Sequence, residues 1–367
     1  MLIFISRILF LFLFVGSLNV LVSAVGESCD NGKGICIDVN AQECYGGTGY
    51  LKPGYCPGPS NIICCEESMN LPERCKGNGP DLLPNSYLFT LKNQGFDGHP
   101  GALVYVPSNF NKNYKKLDIV VYIHGYQNCI QNIVRATDSG CNCSVGQDVR
   151  DAYNLIEQLA SIDPNRISVN DPVNLLFVAA EVAYDQSNDN PGRWAQQNVF
   201  REYLNELLTV HMNSIIGDYN LDSISRIRIF SHSGGYYTIG NMAIVGGLAD
   251  KVKHLNLFDS LYADMSQFQQ YIDNNLHSFG NNSESFRFTS LYTIDGGTYN
   301  NNVKMAADEK KLVDAQQCPS IYYYDNQDNN ELTADVMQQY SMIFKLSAYS
   351  HNDMPRNYFR QFLLNSY

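Results

Sequence analysis

The sequence predicts an α/β fold: a mostly parallel sheet with helices on both faces, preceded by a small disulfide-rich module. Three observations carry that expectation. Six of the eleven cysteines crowd near the start of the chain, as Cys29, Cys36, Cys44, Cys56, Cys64 and Cys65. From about Leu83 onward, short β-rich runs alternate with longer amphipathic segments, the pattern of βαβ units. The chain is 367 residues long, 44% hydrophobic and 17% charged, which is enough to bury a full core and too apolar for general disorder.

The first element is a leader. Arg7 supplies a short basic start, Ile8 to Val15 is almost wholly apolar, and Val22-Ser23-Ala24 offers small residues to signal peptidase, so residues 1–24 read as a removed signal peptide. A membrane anchor is the competing reading, but Gly16, Ser17 and Asn19 break the run well short of the roughly 20 apolar residues a spanning helix needs. No later segment is long and apolar enough to span a bilayer, so the mature chain is expected to be secreted or lumenal, without a membrane partner. Asn142-Cys143-Ser144 and Asn281-Asn282-Ser283 fit the glycosylation sequon and make a glycoprotein the expectation.

Residues 25–67 form the next unit. A segment this short cannot bury enough apolar surface to offset its chain entropy, so cross-links must restrict the unfolded ensemble instead. Three bridges among six cysteines allow fifteen pairings, and spacing does not choose among them. Zinc is disfavoured by the leader and by the lack of paired Cys-x-x-Cys units, so no metal is expected. The run Cys44-Tyr45-Gly46-Gly47, then Gly54-Tyr55-Cys56-Pro57-Gly58 and a closing Cys64-Cys65, resembles a small cysteine module at the front of some secreted cell-wall hydrolases of eukaryotic microbes. The resemblance implies a targeting role toward cell-wall polysaccharide. A stapled cap without a ligand is the other reading. Exposed Tyr45, Tyr50 and Tyr55 would suit stacking on sugar rings.

Residues 68–82 read as a linker and residues 83–367 as the main domain. Its expected strands are 87–91, 102–106, 117–123, 173–180, 227–230, 255–258, 288–293, 321–324 and 343–348, each a β-branched or aromatic run. Helical spacing of apolar residues is found over 148–162, 200–216, 236–248, 265–272 and 303–315. Asparagine-rich stretches at 274–285 and 325–330 read as loops. Twenty-five basic residues against 37 acidic ones give a formal charge of -12, and no Lys/Arg cluster could neutralise a row of phosphates, so nucleic acid is not an expected partner.

The sharpest local signal is Arg226-Ile227-Arg228-Ile229-Phe230-Ser231-His232-Ser233-Gly234-Gly235-Tyr236, a strand running into Ser-His-Ser-Gly-Gly and then a helix. It reads as a nucleophile elbow. There the central serine takes a strained backbone conformation, and the residues two before and two after must be small enough for strand and helix to approach. Ser231 and Gly235 meet that demand, with serine in place of the usual first glycine. A serine hydroxyl needs an adjacent base, which in turn needs a carboxylate to fix its tautomer.

The elbow at Ser233, the strand-end His124-Gly125 upstream and a late histidine together resemble the α/β-hydrolase fold, from residue 83 to the end. The resemblance implies a serine hydrolase acting on an ester or amide bond of a small-molecule or polymer substrate, without a cofactor. It places the oxyanion hole at the backbone N–H of Gly234 and one from the loop His124-Gly125-Tyr126-Gln127-Asn128-Cys129, at Tyr126, with Asn128 as a further side-chain donor. His351, after the last strand and before a C-terminal helix, is the expected base. The acid is expected at Asp259, with Asp295 the alternative, since both end strands that follow the elbow. Leu257-Phe258-Asp259-Ser260-Leu261-Tyr262 also resembles a group of secreted α/β-hydrolases that share Ser-Gly-Gly-Tyr at the elbow, which implies Asp259 as the acid and a turn role for Asp295.

Glu181, Arg193 and Trp194 follow the strand 173–180 at the sheet's carboxyl edge, where α/β ligands bind, so Trp194 and Arg193 are expected in the substrate site with Asn128. A packed anchor is the competing role for Trp194. The alternative to an enzyme is a non-catalytic extracellular binding protein on a degenerate hydrolase scaffold, docked to a wall or matrix polymer by the cysteine module. Five cysteines remain outside that module, an odd number, so one thiol is expected to stay free. A bridge from Cys129 to Cys141 or Cys143 would brace the oxyanion loop, and Cys75 could bridge to Cys318.

Overall fold

A computed structural model describes residues 25, 27–29, 34–38, 41, 50–52, 56, 62–66, 84–96, 100–125, 128–135, 152–162, 173–182, 191–280, 282, 284–328 and 331–365. The leader, the linker, Tyr126, the sequon Asn142-Cys143-Ser144, the sequon acceptor Asn281, and Cys75, Cys141 and Cys143 lie outside the described residues. Among the described residues, no helix is long and apolar enough to cross a membrane.

The cysteine module contributes β1 (Ser28–Cys29), β2 (Gly34–Asp38), β3 (Tyr50–Lys52) and β4 (Ile62–Glu66), an antiparallel sheet in the order β1-β2-β4-β3. Cys29 bonds Cys64 and Cys36 bonds Cys56, and Cys65 is also in a disulfide. Among the described residues the apolar cluster here is Cys29, Cys36, Ile62 and Cys64, with Cys56 packed against it, and both disulfides run through it. The sulfurs of Cys29, Cys56 and Cys64 lie close together, but all three are spent in these two disulfides.

The main domain is built on β5 (Ser86–Phe89), β6 (Ala102–Tyr105), β7 (Lys116–Ile123), β8 (Val173–Ala180), β9 (Ile224–His232), β10 (Val252–Phe258), β11 (Arg287–Tyr292), β12 (Tyr322–Asp325) and β13 (Met342–Leu346). Their order is β12-β13-β11-β10-β9-β7-β8-β6-β5. All neighbours are parallel except β6, which runs antiparallel to both β5 and β8. The sheet is thus mostly parallel, as the sequence predicts. Each central strand reads as a nearly unbroken apolar run, because both its faces are covered.

The helices are α1 (Ile130–Ile133), α2 (Leu155–Ala160), α3 (Val199–Glu206), α4 (Asn213–Ile216), α5 (Tyr236–Ile244), α6 (Met265–Asn275), α7 (Tyr299–Ala315), α8 (Ala334–Gln339) and α9 (Met354–Asn365). Apolar faces of α3, α5, α6 and α7 pack on one side of the sheet. Those of α1, α2, α8 and α9 pack on the other, where Phe359 meets Tyr122, Phe177 and Phe230 edge-on. Two expected helices are shorter or interrupted. Among the described residues of 148–162 the helix covers Leu155–Ala160, and 200–216 is α3, a wider turn at Leu207–His211, then α4. The stretch 274–285 is not all loop, since α6 runs to Asn275 and Leu276–Ser278 continues as a tight turn. Asparagine is a weak helix former, but here Phe268, Tyr271 and Ile272 anchor the helix on the core.

At the amino ends of the strands, Asp118 of β7 is buried and pairs with Arg226 and Arg228 of β9, with N–O distances of 2.7 and 2.9 Å. Burial pushes the Asp118 carboxyl up, but the two guanidinium groups outweigh it and hold it below the ordinary value. Ser233, Asp259 and His351 lie beyond the opposite, carboxyl ends.

Candidate active site

Parallel strands bring His124, Glu181, Ser233, Asp259 and Thr293 to one edge, each directly after the last residue of its strand or within one residue of it. The ladder sets their order: Ile123 pairs with Ser231, Phe258 with His232, and Phe258 with Leu291.

Ser233 follows β9 and opens a tight turn, Ser233–Gly235, that leads into α5. Its φ is +52°, in the left-handed region that a non-glycine residue rarely adopts. The turn is held from β10, where the Ser260 hydroxyl donates to the Ser233 carbonyl at 2.6 Å and accepts from the Ser231 hydroxyl at 2.9 Å. Serine is thus accommodated where glycine is usual, because its hydroxyl has a buried partner. Gly125 closes the site from β7. A Cβ there would lie 2.5 Å from the Ser233 Cβ and 2.7 Å from the His232 carbonyl oxygen.

His351 begins the tight turn His351–Asp353 that precedes α9, and its Nδ1 lies 2.7 Å from Asp259 Oδ2. Asp259 is fully buried, while the His351 side chain is 29% exposed, so the pair presents its basic end to the outside. Asp259 Oδ1 accepts from the Thr293 amide at 3.1 Å and from the Thr298 hydroxyl, and Oδ2 also accepts from the Thr293 hydroxyl at 2.5 Å. Burial pushes the carboxyl up, yet hydrogen bonds from His351, Thr293 and Thr298 more than offset it and hold the pKa below the ordinary value. Gly296 is required by the same carboxylate, since a Cβ there would sit 2.0 Å from Oδ2. Asp295 is exposed in the turn that wraps Asp259, and none of its atoms is bonded to His351.

His124 is buried, with Nδ1 2.8 Å from the Gly125 carbonyl and Nε2 on the Glu181 carboxylate. Glu181 also accepts from the amides of Ile130 and Val182, both at 3.2 Å, and so ties the ends of β7 and β8 to the start of α1. It is a brace under the loop that leaves β7, and not a wall of the site. Asn128 is buried too, its Oδ1 accepting from the Cys129 amide at 2.9 Å and from Asn132 at 3.0 Å. Cys129, next to it, is disulfide-bonded, whereas Cys318 is a free thiol, which excludes the Cys75 to Cys318 bridge.

The structure corrects the expectation for Trp194. Its ring is wholly buried, edge-on to Tyr203 at 4.9 Å between centroids, and its Nε1–H donates to the Glu181 carbonyl at 3.3 Å. It anchors its loop, because the largest apolar side chain gains most by leaving water. Arg193 is half-buried and donates from Nε to the Gln94 carbonyl at 2.9 Å, holding the same loop to the segment before β6. Neither it nor Trp194 is placed as a substrate contact.

Ser260, Thr293, Thr298 and Tyr153 were not visible as site residues in the sequence, nor was the bond between His124 and Glu181. Thr293 and Thr298 carry a faint signal, since they flank Gly296-Gly297 at the end of an expected strand. Tyr153 carries none, being 79 residues from its partner His232.

No protein-family model matches the chain, and no curated protein does. Among solved structures it is similar to the feruloyl esterase module of Clostridium thermocellum, at 13% identity and a TM-score of 0.45, over 77% of this chain and 86% of that one. An S-formylglutathione hydrolase from Agrobacterium tumefaciens is similar at 10% identity and 0.35, over 72% and 90%. Esterase 2 of Thermogutta terrifontis is similar at 9% identity and 0.40, over 77% and 92%. Likenesses this distant do not bear on activity.

Proposed function

We propose that the chain is a secreted serine hydrolase that cleaves an ester or amide bond through an acyl-enzyme on Ser233. The observation that carries this reading is the 2.7 Å bond between His351 Nδ1 and the buried Asp259, set across the sheet edge from a serine with φ of +52°. A half-buried histidine bonded to a buried carboxylate, at the same sheet edge as a strained serine, supplies the parts of the constellation that activates a hydroxyl.

In this mechanism Ser233 Oγ attacks the substrate carbonyl carbon while His351 Nε2 takes its proton. Asp259, ionised because its pKa is held low, keeps Nδ1 protonated and offsets the charge of the imidazolium. The oxyanion is received by the Gly234 N–H and by a second donor from the loop after Gly125, assigned to Tyr126. The N-terminus of α5 adds its dipole there. Collapse expels the alcohol or amine, which takes the proton from His351. Water then attacks the acyl carbon by the reverse route, giving the acid and free Ser233.

The test is labelling with a fluorophosphonate probe, combined with turnover of p-nitrophenyl esters and amino-acid anilides. Wild type is expected to label on Ser233 and Ser233→Ala to lose the label. A Ser233→Ala protein that labels fully refutes the assignment. For the cysteine module we propose docking to cell-wall polysaccharide, tested by retention of the whole protein on chitin, cellulose and peptidoglycan; passage through all three refutes it.

A further inference from the structure

Nothing in the sheet ladder itself fixes the distance from base to nucleophile. β10 and β11 lie between β9, which ends at Ser233, and β13, which precedes His351. At about 4.8 Å per strand spacing, the two strand ends are some three spacings apart, so the His351 segment must reach back across the edge. A buried side chain ties the two together. His232, the last residue of β9, places its Nε2 2.9 Å from the backbone oxygen of His351. Its ring centroid is 4.5 Å from that of His351. On the other side, the hydroxyl of Tyr153 is 2.9 Å from His232 Nδ1. His232 and Tyr153 are 2% and 3% exposed, so water cannot substitute for either partner.

The polarity of this chain is forced. A carbonyl only accepts, so His232 must carry its proton on Nε2, which leaves Nδ1 bare to accept from the Tyr153 hydroxyl. The ring stays singly protonated because burial, and after it the neighbouring His351, depress its pKa to about 3. The titratable groups that face it are His351, Asp259, His124 and Tyr153. A neutral ring matters here, since a charged one would oppose the imidazolium that forms on His351 during turnover.

We infer that His232 is a positioning residue: through Nε2 it holds the main chain of His351 in register with the adjacent Ser233, with Tyr153 selecting the tautomer able to do so. The inference rests on the proposed triad. It makes the residue before the nucleophile part of the base's support, which is why a histidine there does not compete as a second base.

The experiment uses the full-length protein and measures the fluorophosphonate labelling rate of Ser233 with kcat and KM for p-nitrophenyl acetate. His232→Leu removes the donor, and kcat and the labelling rate are expected to fall roughly ten-fold or more with KM within about two-fold. His232→Gln, whose amide nitrogen reaches a similar position, is expected to recover most of that loss. In a His351→Ala background His232→Leu is expected to cost less than about two-fold, since its effect runs through His351. Tyr153→Phe, which removes one hydroxyl, should lower kcat about three-fold or more and keeps the question decidable if His232→Leu does not fold. Equal losses for Leu and Gln, an undiminished loss in the His351→Ala background, or wild-type kcat in Tyr153→Phe overturns the inference. Wild type that labels on Ser233 while His232→Leu matches its rate overturns it alone; wild type that does not label on Ser233 overturns the triad as well.

Discussion

Replacing Asp259 by asparagine tests the acid with little change of shape. Asp259 Oδ1 accepts from the Thr293 amide, a group that can only donate, at 3.1 Å. An asparagine must therefore keep its oxygen at that position, which turns its NH₂ toward the place where Oδ2 now faces His351 Nδ1 at 2.7 Å. His351 is then driven to the other tautomer, with the proton on Nε2 and no lone pair facing Ser233. The same substitution in a serine protease triad costs about 10⁴ in kcat, equivalent to roughly 5.4 kcal/mol, and a loss of that order is expected here. Asp295→Asn, at an exposed site in the neighbouring turn, is the control and is expected to stay within about two-fold, since surface changes are usually small. Initial rates on p-nitrophenyl acetate, with active-site titration to count competent enzyme, read both variants. An Asp259→Asn enzyme within ten-fold of wild type, or an Asp295→Asn enzyme as impaired, would refute the assignment of the acid.

Three further outcomes follow from single contacts. Gly125→Ala puts a Cβ 2.5 Å from that of Ser233, so the elbow or the β7 loop must move; a loss of about 10²-fold in kcat/KM is expected, and near-normal kinetics would contradict the close approach. Trp194→Ala empties a buried aromatic site and orphans the Glu181 carbonyl, and urea unfolding should register about 3–5 kcal/mol of lost stability; under about 1 kcal/mol would argue that the ring is not the loop's anchor. Glu309 on α7 is buried with Oε2 unbonded, and burial, then the charge of Asp273, raises its pKa from 4.5 to about 7. Its folded-state pKa lies above the unfolded one, so stability falls as pH rises from 4.5 toward 7, where the unfolded chain has released a proton the folded chain keeps. Glu309→Gln should thus be neutral at about pH 4 and more stable than wild type by about 1–3 kcal/mol at pH 8, read from denaturant midpoints at both pH values. Equal midpoint shifts at the two values would refute it.

Much of the architecture was legible because apolar periodicity survives in the local sequence. The run Val173 to Ala180 is strand β8 residue for residue, and the other expected strands lie within three residues of those observed at each end. Helix α2 was overextended, since apolar spacing continues past the point where the backbone leaves the helix. The sharp strand-to-helix turn at Ser233 was legible because its demand for small residues is met within five consecutive positions. The threonines that bond Asp259 were not, because Thr293 and Thr298 come from a turn 34 and 39 residues away.

The sequence by itself determined the alternation of strands and helices, the crowding of cysteines near the start of the chain, and the candidacy of Ser233, His351 and two aspartates. These are properties of neighbours along the chain. Only the tertiary structure set Asp259, and not Asp295, against His351, buried Trp194 beneath its loop, turned Glu181 into a brace for His124, and set His232 between Tyr153 and the backbone of His351. Such choices depend on which distant strands end side by side. A hydrogen bond across that edge is a matter of a few tenths of an ångström, which no spacing in sequence encodes.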